Sequence, residues 1–188
     1  MDRRRALLLS ELGRPKEAAA LLRPYAASDD CETLNAFGIA LSDAGDPAAG
    51  LSVFSRALEI DPGNALAYQN SGIALLKMGR AAEAREFLEK ALAVNERNPR
   101  VWNAMGVAWM QLNAPDRALE AWTRCVAYDA SQFDALYNIG LVAARLGHKQ
   151  QAIDALRRFA DSAPASRYGR DLAEVRAALA KMTSSPAR

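Results

Sequence analysis

Histidine and cysteine are scarce in this chain of 188 residues, which contains one histidine, His148, and two cysteines, Cys31 and Cys125. Two cysteines so far apart in the sequence form neither a disulfide framework nor a metal-ligand cluster. A metal site built on several histidines is excluded in the same way. Apolar runs are only a handful of residues long, whereas a transmembrane helix needs about 20. We therefore expect no membrane insertion.

Neither sign of charge predominates, because 24 Lys and Arg residues oppose 22 Asp and Glu residues and leave a net charge of +2. A protein that binds nucleic acid usually carries a larger or more clustered positive excess together with exposed aromatic side chains. The tryptophans Trp102, Trp109 and Trp122 are predicted to lie in the core, so they are not expected to stack on bases. The composition therefore predicts no nucleic-acid partner.

Signatures of catalytic and nucleotide-binding sites are also missing. The chain contains no GxxxxGK[ST] or GxGxxG phosphate loop, no GxSxG or HExxH hydrolase motif and no CxxC redox motif. His148 lies beside a predicted turn and is interpreted as a solvated loop residue, and Cys125 as a buried, inert thiol. We expect no enzymatic activity, no cofactor, and no catalytic or metal-binding residue.

Alanine is abundant, in blocks such as Ala18-Ala19-Ala20, whereas Val, Ile and Thr are scarce by comparison. Alanine is the best helix former, and β-branched residues lower helix propensity. Apolar residues make up 51% of the chain, enough to bury a core. The composition therefore predicts a nearly all-helical, folded protein.

A period of 34 residues runs through the chain and is marked first by Gly38, Gly72, Gly106 and Gly140. Large residues keep the same step at Leu34, Tyr68, Trp102 and Leu136, and again at Phe54, Leu88, Trp122 and Leu156. Small residues keep it at Gly50, Ala84, Ala118 and Ala152. A predicted turn recurs at Gly45, Gly79, Asn113 and Gly147, and asparagine tolerates the left-handed conformation that such a turn needs.

Each period contains two stripes of apolar residues at helical spacing, separated by the turn glycine. In the first complete period these stripes predict one helix over Cys31–Ala44 and a second over Pro47–Ile60. Pro47 and Pro115 occupy first-turn positions, where proline is tolerated. Each period is therefore predicted to be an antiparallel helix hairpin.

This pattern resembles the tetratricopeptide repeat, a 34-residue helix–turn–helix unit that stacks on its neighbours. The resemblance implies an all-α, right-handed α-solenoid of about five antiparallel helix hairpins with a C-terminal capping helix. The predicted units are a partial or atypical repeat at 1–30, complete repeats at 31–64, 65–98, 99–132 and 133–166, a capping helix at 167–182 and a disordered tail at 183–188.

Members of this family usually bind ligands in a concave groove lined by the first helix of each repeat. Residues there that the hairpin core does not use form an apolar stripe at a 34-residue step and a row of amides that could hold a peptide backbone. The predicted peptide-binding residues are Asn35, Ile39, Gln69, Asn70, Ile73, Leu76, Lys77, Asn103, Val107, Met110, Gln111, Tyr137, Asn138, Leu141 and Arg145.

The primary functional hypothesis is a non-catalytic protein–protein interaction module that binds a peptide or extended partner segment in this groove. The alternative is the C-terminal repeat region of a larger enzyme, serving assembly or the orientation of a catalytic domain. A third hypothesis is self-association through the uncapped N-terminal hairpin. The absence of a signal peptide and of structural disulfides favours a cytoplasmic location.

Overall fold

The computed structural model describes residues 2–184, and in that range it contains eleven α-helices and no β-strand. The predicted all-α fold of helix hairpins is therefore confirmed. The helices fall into two compact units, of which the first ends at Arg97 and the second begins at Asn98. Residues 185–188 of the predicted disordered tail lie outside the described residues, while Thr183 and Ser184 belong to the last helix.

The first unit consists of three hairpins. Helices α1 and α2 form a complete but short hairpin where a partial repeat is predicted, and the later hairpins α3–α4 and α5–α6 are longer. Their bounds are α1 Asp2–Glu11, α2 Pro15–Leu22, α3 Cys31–Asp43, α4 Pro47–Ile60, α5 Ala65–Lys77 and α6 Ala81–Val94. A 3-10 turn at Arg23–Tyr25 follows α2.

The second unit consists of two hairpins and a final helix. Helices α7 and α8 pair with each other, as do α9 and α10, and α11 packs on α10. Their bounds are α7 Pro99–Gln111, α8 Pro115–Tyr128, α9 Phe133–Arg145, α10 Lys149–Ser162 and α11 Ala165–Ser184. The final helix begins two residues before the predicted capping helix and continues two residues beyond it.

Local sequence signals explain where many of these helices begin. The Asp46 carboxylate accepts a hydrogen bond from the Ala49 backbone N–H at 2.9 Å, and the Asn64 side chain accepts one from Ala67 at 2.9 Å. Such N-caps satisfy backbone donors that have no partner within the helix. Pro47, Pro99 and Pro115 take the first helical positions, where the missing N–H costs nothing.

The predicted turn residues adopt the left-handed conformation. The φ angles are 100° at Gly45, 73° at Gly79, 57° at Asn113 and 80° at Gly147. Gly13, in the first hairpin, has a φ of 72°. The single asparagine in this column therefore performs the same geometrical role as the glycines.

The central glycine of each repeat lies directly against a large side chain of the following helix. A Cβ on Gly72 would lie 2.7 Å from the side chain of Leu88, and a Cβ on Gly106 would overlap the indole of Trp122. Equivalent overlaps arise for two further pairs, Gly38 with Phe54 and Gly140 with Leu156. The missing side chain thus allows the two helices of a hairpin to approach closely.

Aromatic residues connect the final helix to the last hairpin. The Tyr168 ring lies 5.4 Å from that of Phe159 and 5.9 Å from that of Phe133, and its hydroxyl donates a hydrogen bond to Asp134 Oδ1 at 2.8 Å. Tyr168 has non-helical angles of φ −114° and ψ 19°, which interrupt α11 near its start. Leu172 and Val175 are then buried against the hairpin. Burial is the largest cause that raises the pKa of Tyr168, to about 12.

Within the described part of the chain, every helix is too short or too polar to cross a lipid bilayer.

We predict that Gly106→Ala destabilises the protein by about 1–3 kcal/mol, because the new methyl group forces the rigid indole of Trp122 from its site. Gly169→Ala is the matched control, since Gly169 lies in α11 with no atom within 4 Å of an added Cβ. Alanine there should be neutral or stabilise the helix by about 0.5–1 kcal/mol. Urea unfolding measures both, and equal effects would contradict the close approach at Gly106.

A second prediction concerns alkaline pH. The folded state favours the neutral phenol of Tyr168, whose pKa is raised from 10.0 to about 12. Its contribution to stability is therefore complete below pH 10 and is lost as the pH rises from about 10 to 12. Tyr168→Phe should show a smaller loss of stability over this range in urea unfolding.

The control for the alkaline experiment is Tyr128→Phe, because Tyr128 is exposed. Cys125, whose pKa burial raises to about 12, lowers stability at alkaline pH in all three proteins. The comparison therefore rests on the difference in slope between the two variants. Identical slopes would show that the Tyr168 hydroxyl does not titrate differently in the folded protein.

Candidate functional site

A groove in the second unit is bordered by α7 and α9 and has a residue of α8 at its base. Its volume is about 560 Å³. We call it the α7–α9 groove. It is lined by Val107, Met110 and Gln111 of α7, by Trp122 of α8, and by Asn138, Leu141, Val142, Ala144 and Arg145 of α9.

The lining of the groove is mostly apolar and partly open to solvent. Leu141 is 45% exposed, and Val107 and Met110 are half-buried. Exposed apolar side chains gathered in one concave site are typical of ligand-binding surfaces. The groove therefore offers contacts for an apolar side chain of a partner.

The base of the groove depends on the glycine of the same repeat. Trp122 is 2% exposed and lies against Gly106, and its indole N–H donates a hydrogen bond to the Asn103 carbonyl oxygen at 3.2 Å. Because that donor is satisfied inside the protein, the indole presents only apolar surface to the groove. The contact that closes the hairpin thus also forms the base of the site.

Polar side chains lie at the edges of the groove. Asn138 is half-buried, and the Arg145 guanidinium is exposed and has no carboxylate partner within residues 2–184. An amide both donates and accepts hydrogen bonds, and a guanidinium binds carboxylates in a bidentate way. The groove therefore combines an apolar base with groups suited to a peptide backbone and an acidic group.

In the first unit, the predicted row of amides forms a buried hydrogen-bond network. The Asn35 side chain is 2% exposed, and its N–H donates to the Cys31 carbonyl oxygen at 2.9 Å and to Asn64 Oδ1 at 3.3 Å. Asn70 donates in turn to Asn35 Oδ1 at 3.3 Å. These amides join α3 to α5, so their hydrogen-bonding groups already have partners within the protein.

The same two repeat positions in the second unit carry Asn103 and Asn138, and they behave differently. Asn103 Oδ1 is buried and has no hydrogen-bond partner among the described residues. Asn138 makes no hydrogen bond to it and instead lines the groove. The two asparagines at these positions are therefore hydrogen-bonded to each other in the first unit but not in the second.

The remaining predicted residues are distributed as follows. Gln69 and Leu76 are buried, whereas Ile39 and Ile73 are half-buried on α3 and α5. Lys77 is exposed, and its Nζ lies 2.7 Å from Asp43 Oδ1.

Tyr137 is turned away from the groove, with its ring 5.5 Å from that of Phe159. The structure brings together six predicted residues: Val107, Met110, Gln111, Asn138, Leu141 and Arg145.

Two of the three tryptophans differ from the prediction that all three lie in the core. Trp122 is buried as expected, but Trp102 and Trp109 are half-buried and each carries an arginine on its face. The Arg124 guanidinium lies 4.8 Å from the Trp102 ring centroid, and that of Arg117 lies 4.7 Å from Trp109. The sequence signal for this arrangement is the seven-residue spacing between the two tryptophans and between the two arginines, which places each set on one face of its helix.

Clusters of three or more His, Cys, Asp or Glu side chains arranged to hold a metal ion do not occur among residues 2–184.

Comparison with solved structures identifies proteins with the same fold. TTC0263, a thermophilic TPR protein of Thermus thermophilus, superposes with a TM-score of 0.78 at 18% identity, covering 97% of this chain and 97% of that one. PilF of Pseudomonas aeruginosa gives 0.77 at 20% identity over 96% and 86% of the two chains. YrrB, described as a TPR protein with an unusual peptide-binding site, gives 0.61 at 22% identity over 83% and 81%.

The search of curated protein sequences found no match. Two sequence models described as tetratricopeptide repeat match this chain, one over residues 41–107 and the other over residues 103–167. The two matches overlap by a few residues and together extend over more than half of the chain. Three complete hairpins, α5–α6, α7–α8 and α9–α10, lie within this matched region, together with the glycine contacts of Gly72, Gly106 and Gly140. The chain therefore belongs to the tetratricopeptide repeat family.

Proposed function

We propose that this protein is a non-catalytic protein-interaction module that binds an extended peptide segment of a partner in the α7–α9 groove. The observation that carries the proposal is the groove itself, in which apolar side chains of two neighbouring repeats line a solvent-accessible volume of about 560 Å³. Peptide sites of this kind combine apolar pockets with a few polar groups that fix orientation.

An apolar side chain of the peptide would contact Val107, Met110 and Leu141 above the indole of Trp122. The Arg145 guanidinium at the edge would pair with an acidic side chain or a terminal carboxylate. The proposed ligand is therefore an extended segment in which an apolar residue is followed or preceded by an acidic group.

The absence of a hydrogen bond between Asn103 and Asn138 supports a role for Asn138 in binding the peptide. A buried acceptor without a partner, such as Asn103 Oδ1, costs free energy in the unliganded protein. A ligand that reorients the Asn138 amide, or that supplies its own donor, would remove this cost. Binding would then give Asn103 the kind of hydrogen bond that Asn35 already accepts from Asn70 in the first unit.

YrrB provides a parallel for the class of ligand, because its description names a peptide-binding site in a protein of this fold. The parallel extends to the class of ligand alone, since the identity is 22%.

Peptides selected from a phage-displayed random library on the wild-type protein test the proposal. Leu141→Arg should weaken their binding by at least about tenfold, which corresponds to about 1.4 kcal/mol, because it places a charge in the apolar lining of the groove. The matched control is Leu66→Arg, since Leu66 is 46% exposed and lies on α5 in the first unit. Affinities are measured by fluorescence anisotropy, with thermal melting as the check on folding.

A second matched pair separates binding from folding. Asn138→Ala should weaken peptide binding with little change in melting temperature, because the Asn138 side chain makes no hydrogen bond within residues 2–184. Asn70→Ala should instead lower stability by about 1–3 kcal/mol, because it leaves the buried Asn35 acceptor unpaired. Selected peptides that bind Leu141→Arg as tightly as wild type would place the site elsewhere and overturn the proposal.

Self-association through the first hairpin is a second proposal, favoured by exposed leucines in the second half of α1 and directly after it. Leu8 is 58% exposed, Leu12 is 72% exposed and the neighbouring Leu7 is 40% exposed. The Leu12 backbone N–H donates to the Leu8 carbonyl oxygen at 3.0 Å, so these two leucines lie one helical turn apart on the same side. Two copies of this apolar surface in contact would remove three leucines per chain from water.

The variant Leu8→Glu/Leu12→Glu tests this second proposal. Light scattering coupled to size-exclusion chromatography, at several protein concentrations, should show a mass that rises with concentration for the wild type and a constant monomer mass for the variant. A wild-type protein that stays monomeric throughout would refute it.

A further inference from the structure

A second surface of the second unit is formed by two tryptophan–arginine pairs on α7 and α8. Trp102 and Trp109 are seven residues apart on α7, and Arg117 and Arg124 are seven residues apart on α8. Because the two helices are antiparallel, Trp102 pairs with Arg124 and Trp109 with Arg117, at 4.8 and 4.7 Å from ring centroid to guanidinium carbon. We call these four residues the Trp–Arg surface.

The two arginines are held in place without an anionic partner. Neither Arg117 nor Arg124 makes an ion pair or a hydrogen bond within residues 2–184. By contrast, Arg14 and Arg80 are paired with Glu17 and Glu83.

A guanidinium that stacks on an indole keeps the N–H donors at its edge available for an acceptor in its own plane. The stacks therefore present two positioned, unused sets of donors to solvent. Because stacking already restricts the side-chain rotamers, little conformational entropy remains to be lost on binding.

A glutamate separates the two positive groups. Glu120 is exposed and lies three residues after Arg117 and four residues before Arg124, so the three share one face of α8. These residues, the two tryptophans and the buried Ala121 line a hollow of about 280 Å³. The order of charge along this face is positive, negative, positive.

This order of charge defines the chemistry of a complementary partner. Seven residues of helix span about 10.5 Å, so a partner helix with acidic residues at i and i+7 would place one carboxylate opposite each arginine. A basic residue at i+3 or i+4 would face Glu120. An extended strand fits less well, because side chains on one of its faces recur every 6.6 Å or so.

Glu120 also disfavours a nucleic-acid partner, because its carboxylate repels phosphate groups placed between the two arginines.

Tryptophan and arginine are the side chains most enriched among residues that dominate the energy of protein interfaces. We propose that the Trp–Arg surface binds a helical segment of a partner protein that carries acidic residues at i and i+7 and a basic residue between them.

This surface is distinct from the α7–α9 groove. Successive residues turn about 100° around a helix, so Trp109 and Val107 lie about 160° apart on α7. The two sites share no residue. The inference therefore does not depend on peptide binding in the groove.

The test uses two alanine-based helical peptides of about 18 residues, each carrying a fluorophore. One has Glu at i and i+7 and Lys at i+3, and the other has the same composition with the three charged residues at i, i+2 and i+5. The first should bind the wild-type protein at least about tenfold more tightly, measured by fluorescence anisotropy at low ionic strength, where screening is weak.

Arg117→Gln/Arg124→Gln should lower the affinity for the first peptide by at least about tenfold. The control is Arg157→Gln/Arg158→Gln, which removes the same charge from two exposed arginines of α10 and should leave binding unchanged. Leu141→Arg should also leave it unchanged, which separates this proposal from the groove. Circular dichroism confirms that each variant is helical.

Several outcomes would overturn the proposal. Equal affinity for the two peptides, no binding of either peptide, or binding that survives Arg117→Gln/Arg124→Gln would each exclude an acidic helix on this surface. A single-stranded RNA probe of about ten nucleotides provides the last arm, for which we expect no binding. RNA binding that is lost in Arg117→Gln/Arg124→Gln would assign the surface to nucleic acid instead.

Discussion

The contact between a glycine and one large side chain determines how each hairpin is built. The Leu88 side chain packs against Gly72 and the Trp122 side chain packs against Gly106, and neither contact leaves room for a Cβ atom on the glycine. The distance between the two helices of the hairpin is therefore set by a single missing side chain. In the second unit, the same contact brings the indole of Trp122 to the base of the α7–α9 groove, so the packing of the hairpin and the shape of the candidate site share one cause.

Features that arise within one repeat could be predicted from the sequence. The 34-residue step identified the glycine positions and the large residues that fill them, and helical spacing predicted α3 and α4 to within one residue. The left-handed conformation of Asn113 follows from its place in a column of turn glycines. Such features depend on backbone geometry and on contacts inside a hairpin, and these repeat with the sequence.

Features that depend on the choice among several partners could not be predicted. Asn35 and Asn103 occupy the same repeat position, yet one bonds to Asn70 and the other has an unpaired side-chain oxygen. Trp102 occupies the same position as the buried Leu34, but its larger ring remains half-exposed and accepts Arg124 on its face. Side-chain size and rotamer, rather than position in the repeat, decide these outcomes.

The glycine contact has a consequence for how proteins of this kind change in length. Both members of each pair belong to one repeat, so a gene duplication that copies a whole repeat also copies a complete hairpin core. The bond from Asn70 to Asn35, in contrast, joins consecutive repeats and would be lost if a copied repeat were inserted between them. Copying or deleting a whole repeat therefore preserves the packing inside each hairpin. Polar contacts between neighbouring repeats, in contrast, form only when two particular repeats are adjacent.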